Sequence, residues 1–369
     1  MVDLTPVDST TALPVSPPAL VDGIHPVRQR PVDERSVWQA SELESDDSWH
    51  HTLTAAERSE LDAATRAAAA RGLTDGQFDR DDFPLPTLGP RIEALVDNVE
   101  NGRGVGLLRG IPVEQYTNAE LRVLYWGFGV YAGNVISQNS KGQLLAEVRD
   151  HGNAYGDRNT RGFSTNAELL PHVDTSDMTT LLCVRQAKSG GVSRVISSTA
   201  TYNAVLAERP EFLEVLYRGF YNDLRGEGPT QKIDELTHNP IPVYSYHAGR
   251  VSCSYNQRMI DNAAVKRGQP LSDHERAALD FLREVTLREE LQYRFKMVPG
   301  DIQMVSNHSV FHSREDFVDH EEHERKRCLF RFWINIRDGR PLAENFADRY
   351  NTGPRGGVAV GDGARYTFS

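Results

Sequence analysis

From about residue 130 onward the chain is a series of short apolar or alternating runs punctuated by turn residues, and this pattern restricts the fold more than any other feature. The runs cover residues 179–184, 192–197, 243–246, 250–255, 292–298, 302–306 and 328–336. Between them stand Ser189-Gly190-Gly191, Ala248-Gly249 and Pro299-Gly300-Asp301, residues that supply the positive φ and fixed φ of tight turns. Short strands in such a succession describe a β-sandwich or jelly roll. Helical inserts are expected near 199–218 and 272–289, the second opening on the capping box Ser272 to Glu275.

The residues before 130 read differently. Thr54 and Glu57 form a capping box ahead of an Ala-rich helix that Gly72 stops. Ile92, Leu95, Val96 and Val99 lie at i, i+3, i+4 and i+7, the apolar stripe of a helix laid on a core. A buried strand over 104–110 follows, then a helix capped by Thr117 and Glu120. Residues 1–34 carry Pro, Ser and Thr without period and are expected to be an extended or disordered arm, with order beginning near Val37. No repeat and no linker divides the remainder. The expectation is one domain over 35–369, mixed α+β and mainly β, with a helical flank at 54–130, a jelly-roll core to about 340 and a tail at 341–369.

A net charge of −11 argues against a nucleic-acid or acidic-membrane surface, since phosphate binding draws on clustered Lys and Arg. The expected partner is a small molecule; a homo-oligomer is compatible with the sequence. Three widely spaced cysteines, Cys183, Cys253 and Cys328, suggest buried small hydrophobes, not a disulfide framework or a zinc site. No basic start with an apolar h-region and no run of ~18 apolar residues is present, so a cytoplasmic address is expected.

The chemistry is carried by Pro171-His172-Val173-Asp174. In a strand, residues i and i+2 share a face, so His172 and Asp174 are expected to deliver an imidazole and a carboxylate into one cavity. By composition about 1.7 His-x-Asp/Glu triplets arise by chance, and the chain has two, the other being His320-Glu321-Glu322 in a charged, solvated run. The context separates them. After His172 come an apolar strand, the Gly190-Gly191 turn into Ser193, and a two-strand unit leading to His312. Beyond it Arg327 and Arg331, four apart in an apolar strand, share a face with Leu329. Two inward guanidinium groups are costly unless they meet anions, and each holds a carboxylate bidentately. Two imidazoles and a carboxylate on one face of a metal leave the opposite positions open, the arrangement of non-haem iron(II) oxygenases.

The order Pro-His-x-Asp over 171–174, Ala187-Lys188-Ser189-Gly190-Gly191 before Ser193, Pro299-Gly300-Asp301-Ile302 before Asn307, Phe311-His312-Ser313-Arg314, and Arg327 with Arg331 resembles the taurine dioxygenase / clavaminate synthase-like family of iron(II)- and 2-oxoglutarate-dependent oxygenases. The likeness spans about 36–340 and is specific from 170 to 335. It implies a double-stranded β-helix, the clavaminate synthase-like form of the jelly roll. It also implies that His172, Asp174 and His312 bind Fe(II), and that Arg327, helped by the Ser193 hydroxyl, grips the distal carboxylate of 2-oxoglutarate, with O2 as the other cosubstrate. Arg331 matches a position that meets an anionic substrate group or the cosubstrate. Ser137, Gln138, Asn139 and Asn166 fall where the family places substrate-contacting loops. Arg314 either lines the site or pairs at the surface with Asp316, and His308 is not the ligand because the match places the ligand at His312. The implied activity is a dioxygenase that hydroxylates an aliphatic C–H of a small anionic or amino-acid-like molecule, releasing succinate and CO2. The alternatives are a jelly-roll metal hydrolase or isomerase, which would not need Arg327 or consume O2, and a non-catalytic small-molecule binding module, which would keep its affinity without Asp174.

Overall fold

The computed structural model describes residues 19–21, 25–153 and 161–361. Apart from three two-stranded pairs, at 19–21 with 25–27, 189–190 with 317–318 and 244–247 with 250–253, its strands form two facing sheets. In chain order they are β1 (His50–Thr52), β2 (Val105–Arg109), β3 (Asn134–Ile136), β4 (Ala146–Val148), β5 (Leu169–His172), β6 (Met178–Arg185), β7 (Ser193–Ser197), β8 (Gln292–Phe295), β9 (Ile302–Ser306), β10 (Val310–Arg314) and β11 (Cys328–Asn335). The larger sheet runs β1-β2-β9-β6-β11-β3, with β4 also on β11; the smaller runs β8-β7-β10-β5. All these pairs are antiparallel except β1 with β2. This is the expected jelly roll, with helices on its flank and inserted in it.

Alternation along the strands decides what each face holds. On β11, Cys328, Phe330, Phe332 and Ile334 point outward into a core shared with three helices, α1 (Ala55–Ala70), α2 (Leu88–Asn101) and α3 (Asn118–Ala132). Phe332 stacks on Tyr125 with ring centroids 4.2 Å apart. Burying a side chain of this size contributes roughly 1.5–3 kcal/mol, so the outer face of the sheet and the helical flank hold each other. The other set, Arg327, Leu329 and Arg331, faces inward to a cavity between the sheets. The smaller sheet is backed by a second core in which Ile196 and Phe311 meet helices α4 (Ser198–Glu208), α5 (Leu213–Arg218), α6 (Gln257–Arg267) and α7 (Asp273–Thr286).

The turn at Gly300 has a stated physical need for glycine. Its φ is +88°, and a Cβ there would stand 2.0 Å from the Ile111 carbonyl oxygen.

Four expectations are corrected. Order begins before Val37: Val27 and Val32 are buried, and the Val32 N–H donates to Asn203 Oδ1 at 2.7 Å. Asn203 sits on α4 and reaches the arm across the fold, a contact with no local signature. Residues 1–18 and 22–24 of the expected arm lie outside the described residues. The 199–218 insert is two helices, because Pro210 cannot continue the first. Helix α6 was not expected: its apolar residues Met259, Ile260 and Ala263 are too few to mark a period, although Asn256 caps it. Finally, 341–361 is no loose tail, for Phe346, Tyr350 and Val358 are buried; 362–369 lie outside the described residues.

Candidate metal centre

His172 and His312 are direct cross-strand partners on β5 and β10, which is how residues so distant in sequence meet. Their ring centroids are 4.5 Å apart. Strand β5 ends at His172, so Asp174 is not placed by strand alternation as expected. Irregular backbone carries it instead, tied by the Val173 N–H to the Tyr255 carbonyl at 2.9 Å and by the Asp174 N–H to Asn307 Oδ1 at 3.0 Å. Val173 turns into the core behind and Asp174 into the cavity. Asp174 Oδ1 lies 4.0 Å from His172 Nε2 and Asp174 Oδ2 lies 3.8 Å from His312 Nε2. One ligand atom from each of the three residues falls within 4.8 Å of the other two.

The surroundings hold this set in a ligating state. His172 Nδ1 donates to the Leu170 carbonyl at 2.8 Å, which fixes the ring's orientation and turns Nε2 towards the cavity. Asp174 Oδ2 accepts from Thr179 Oγ1 at 2.8 Å and Trp333 Nε1 at 2.9 Å, and Arg331 Nη1 is 3.7 Å away. Burial alone would raise the Asp174 pKa. Arg331, then His312 and His172, outweigh it and keep the carboxyl well below the usual range. Burial, with His172 behind it, brings His312 down to about 3, so its ring is neutral at neutral pH. Two imidazoles with an ionised carboxylate are the donor set of a divalent transition metal with open positions.

The cavity continues from the triad to Arg327. Its guanidinium is buried, and Nη1 has no hydrogen-bond partner among the described residues. Burial pushes its pKa down, against the weaker pull of Cys183 and Asp319. Ser193 lines the same cavity, as do Leu181, Leu329 and Phe163. Gly191 leaves room here: a Cβ would be 3.6 Å from Arg327 Nε. The donor set fits iron(II), and the orphaned fork fits the far carboxylate of a dicarboxylate cosubstrate.

The remaining candidates are placed as follows. Arg314 is buried, lines the cavity and donates to the carbonyls of Thr165 and Ala167, so of its two expected places it takes the one at the site. Gln138 does not line the cavity. It stands behind Arg331, accepting from its Nε at 2.7 Å and donating to its carbonyl at 2.9 Å. Ser137 donates to the Val358 carbonyl, Asn139 closes its own turn onto Gln143 and Lys141, and Asn166 is exposed; all three side chains lie away from the cavity. Asn and Ser here do turn work, as their local bonding chemistry favours.

His308 is not a ligand. Its Nε2 is 2.9 Å from Asp177 Oδ1, and Arg349 Nη2 is 3.2 Å from its Nδ1. Arg349 also donates to the Asp174 carbonyl at 3.3 Å, and Arg355 pairs with Asp177 at 2.5 Å, so residues near the C-terminus brace the metal loop. Burial, against the pull of Asp177, takes the His308 pKa down to about 4. The unfolded chain protonates a histidine near pH 6.5. Between these values the unfolded state binds a proton that the folded state does not. The stability is therefore complete above pH 6.5 and falls as the pH drops towards 4, by up to ~1.4 kcal/mol per pH unit. Urea midpoints of the metal-free protein at pH 7.5 and 5.5 check this: His308→Gln flattens the loss, and an unchanged slope contradicts the assignment.

A sequence profile described as taurine catabolism dioxygenase TauD, TfdA family matches residues 69–333. The chain is 34% identical over 318 residues to FR-33289 synthase of Streptomyces rubellomurinus, covering 85% of this chain and 93% of that protein. It is 26% identical over 314 residues to the taurine hydroxylase-like protein SAT17 of Stachybotrys chartarum, covering 81% and 78%. Among solved structures, asparagine oxygenase in complex with Fe(II), 3-hydroxyasparagine and succinate is similar with a TM-score of 0.60 at 15% identity, over 78% of this chain and 93% of that one. The non-haem iron oxygenase OrfP with Fe and alpha-ketoglutaric acid gives a TM-score of 0.57 at 15% identity, over 78% and 94%. Among the described residues, no helix is long and apolar enough to cross a membrane.

Proposed function

Because the chain belongs to the taurine catabolism dioxygenase TauD, TfdA family, we propose that it hydroxylates an aliphatic C–H of a small anionic or amino-acid-like molecule, with release of succinate and CO2. It is a 2-oxoglutarate-dependent non-haem iron oxygenase, with Fe(II) and 2-oxoglutarate as its cofactor and cosubstrate. The substrate class rests on less: the asparagine oxygenase structure holds 3-hydroxyasparagine, an OrfP structure holds (3S)-hydroxy-L-Arg, and the cavity here is rich in arginine.

In this proposal His172, Asp174 and His312 hold the iron. When bound with 2-oxoglutarate and O2, iron supplies the oxidising chemistry that an unactivated C–H bond needs. The rest is the work of the chain. The Leu170 carbonyl and the Thr179 and Trp333 donors keep the ligating atoms aimed. Arg327 and Ser193 seat the far carboxylate of 2-oxoglutarate, so that its keto-acid end faces the triad. Leu181, Leu329 and Phe163 wall the cavity with apolar surface and keep water from the reacting centre. The observation that carries the proposal is the buried Arg327 Nη1, without a hydrogen-bond partner among the described residues, in the same cavity as the triad. A hydrolase or isomerase reading leaves that group without an anion.

The test is a panel of free amino acids, dicarboxylates and other small oxyanions, scored by O2-dependent succinate release. At least one anionic or amino-acid-like member raises release well above the substrate-free rate. Stimulation confined to neutral, apolar compounds contradicts the substrate class.

A further inference from the structure

The cavity holds more positive charge than the metal site and cosubstrate call for. Beyond Arg327 its lining includes Arg331, Arg161 and Arg225, which come from three separate parts of the chain. They form a connected ladder. Arg331 and Arg161 stack on the same two rings, Phe163 at 4.7 and 5.1 Å and Trp333 at 4.9 and 5.3 Å. Arg161 then pairs with Glu227 at 3.0 Å, and Arg225 stands 3.9 Å from the other oxygen of the same carboxylate.

Among the described residues, these three guanidinium groups are served by two carboxylates. One of these, Asp174, is committed to the metal triad, and its nearest approach to Arg331 is 3.7 Å. The other, Glu227, is shared between two arginines. Side-chain exposures of 7%, 17% and 13% for Arg331, Arg161 and Arg225 put all three largely out of water. Two N–H groups, Arg331 Nη2 and Arg225 Nε, are buried with no hydrogen-bond partner among the described residues. Buried cations in excess of their counter-ions are strongly destabilising until an anion arrives. Arg225 is also held at a φ of +53°, a conformation uncommon for a side chain of this size, by its N–H to Asp223 Oδ1 at 2.8 Å.

We propose that Arg331, Arg161 and Arg225, with Glu227 tethering the last two, form a substrate-holding wall that takes an oxyanion group bearing two negative charges, and that Arg225 is a specificity-determining residue. One singly charged group leaves a buried positive charge uncompensated; a doubly charged one meets the excess and accepts from the two orphaned N–H groups. The inference rests on the oxygenase reading above and deepens it by fixing the charge of the substrate's anchoring group.

The test uses two probes of similar shape that differ by one charge at pH 8, methyl phosphate and methyl sulfate, since a phosphate monoester loses its second proton near pH 6. Each is titrated calorimetrically under nitrogen into the full-length protein loaded with iron(II) and 2-oxoglutarate, while the visible absorption of the chelate is followed. Methyl phosphate is expected to bind at least tenfold more tightly than methyl sulfate. Arg225→Gln removes most of that preference, Arg225→Lys restores part of it, and neither disturbs the chelate absorption. Equal affinity for the two probes, or a preference indifferent to both substitutions, overturns the inference while leaving the oxygenase reading intact. Absence of the chelate absorption in the wild type overturns that reading instead. The wild-type comparison decides even where Arg225→Gln fails to fold.

Discussion

Asp174→Ala is expected to abolish substrate-coupled succinate formation, a loss of at least roughly 10³-fold, because the metal's contribution to the barrier is several kcal/mol and each 1.4 kcal/mol is a factor of ten. The loss should come without unfolding. The Thr179 hydroxyl and Trp333 indole N–H would each lose an acceptor, at a cost of about 1–3 kcal/mol apiece. Relief from holding an ionised carboxylate in a buried site offsets part of that. Near-UV circular dichroism and succinate release measured on the same preparation check both halves. Folded protein with unchanged turnover refutes the triad. Asp174→Gly tests the same residue differently, since two imidazoles and a bidentate cosubstrate still leave weak iron binding.

The second large effect is on the cosubstrate. Removing one partner of a buried charge pair costs about 2–5 kcal/mol, so Arg327→Ala is expected to raise the half-saturating 2-oxoglutarate concentration at least ~30-fold. Turnover at saturating 2-oxoglutarate falls far less, because Arg327 lies outside the ligand set. Arg327→Lys keeps the charge and loses the fork, so it falls between the two. Arg327→Ala costs the empty protein little, as the buried Nη1 has no hydrogen-bond partner among the described residues. A 2-oxoglutarate dependence unaltered in Arg327→Ala contradicts the assignment of that arginine.

Which parts of this site were legible in the sequence follows from the range of the forces that place them. The inward set of Leu329 and Arg331 on β11, with Arg327 just before it, opposite Cys328, Phe330 and Phe332, is a strand-period pattern, and the strand shows it. The helical flank was legible because capping boxes at Thr54 and Thr117 and the stripe from Ile92 to Val99 are local. For Asp174 the Pro-His-x-Asp resemblance points to the residue, but strand alternation does not place it: the strand ends at His172, and Asn307 and Tyr255, distant in the chain, set its direction. The braces Arg349 and Arg355, and the wall residues Arg161 and Arg225, left no signal of their own, because each acts only through tertiary contacts. Ser137, Asn139 and Asn166 show the opposite failure, for turn-forming side chains resemble a polar binding loop when read without their partners.

The central claim is that His172, Asp174 and His312 together hold iron that 2-oxoglutarate then chelates. Its most direct test is optical. Iron(II) and 2-oxoglutarate are added to the protein under nitrogen, and the weak visible charge-transfer absorption of the chelate is recorded for wild type and Asp174→Ala. The wild type is expected to develop the band with saturation near one iron per chain, and Asp174→Ala to lose it or to need far more metal. A wild type that shows no band, or a band that Asp174→Ala leaves unchanged, contradicts the account.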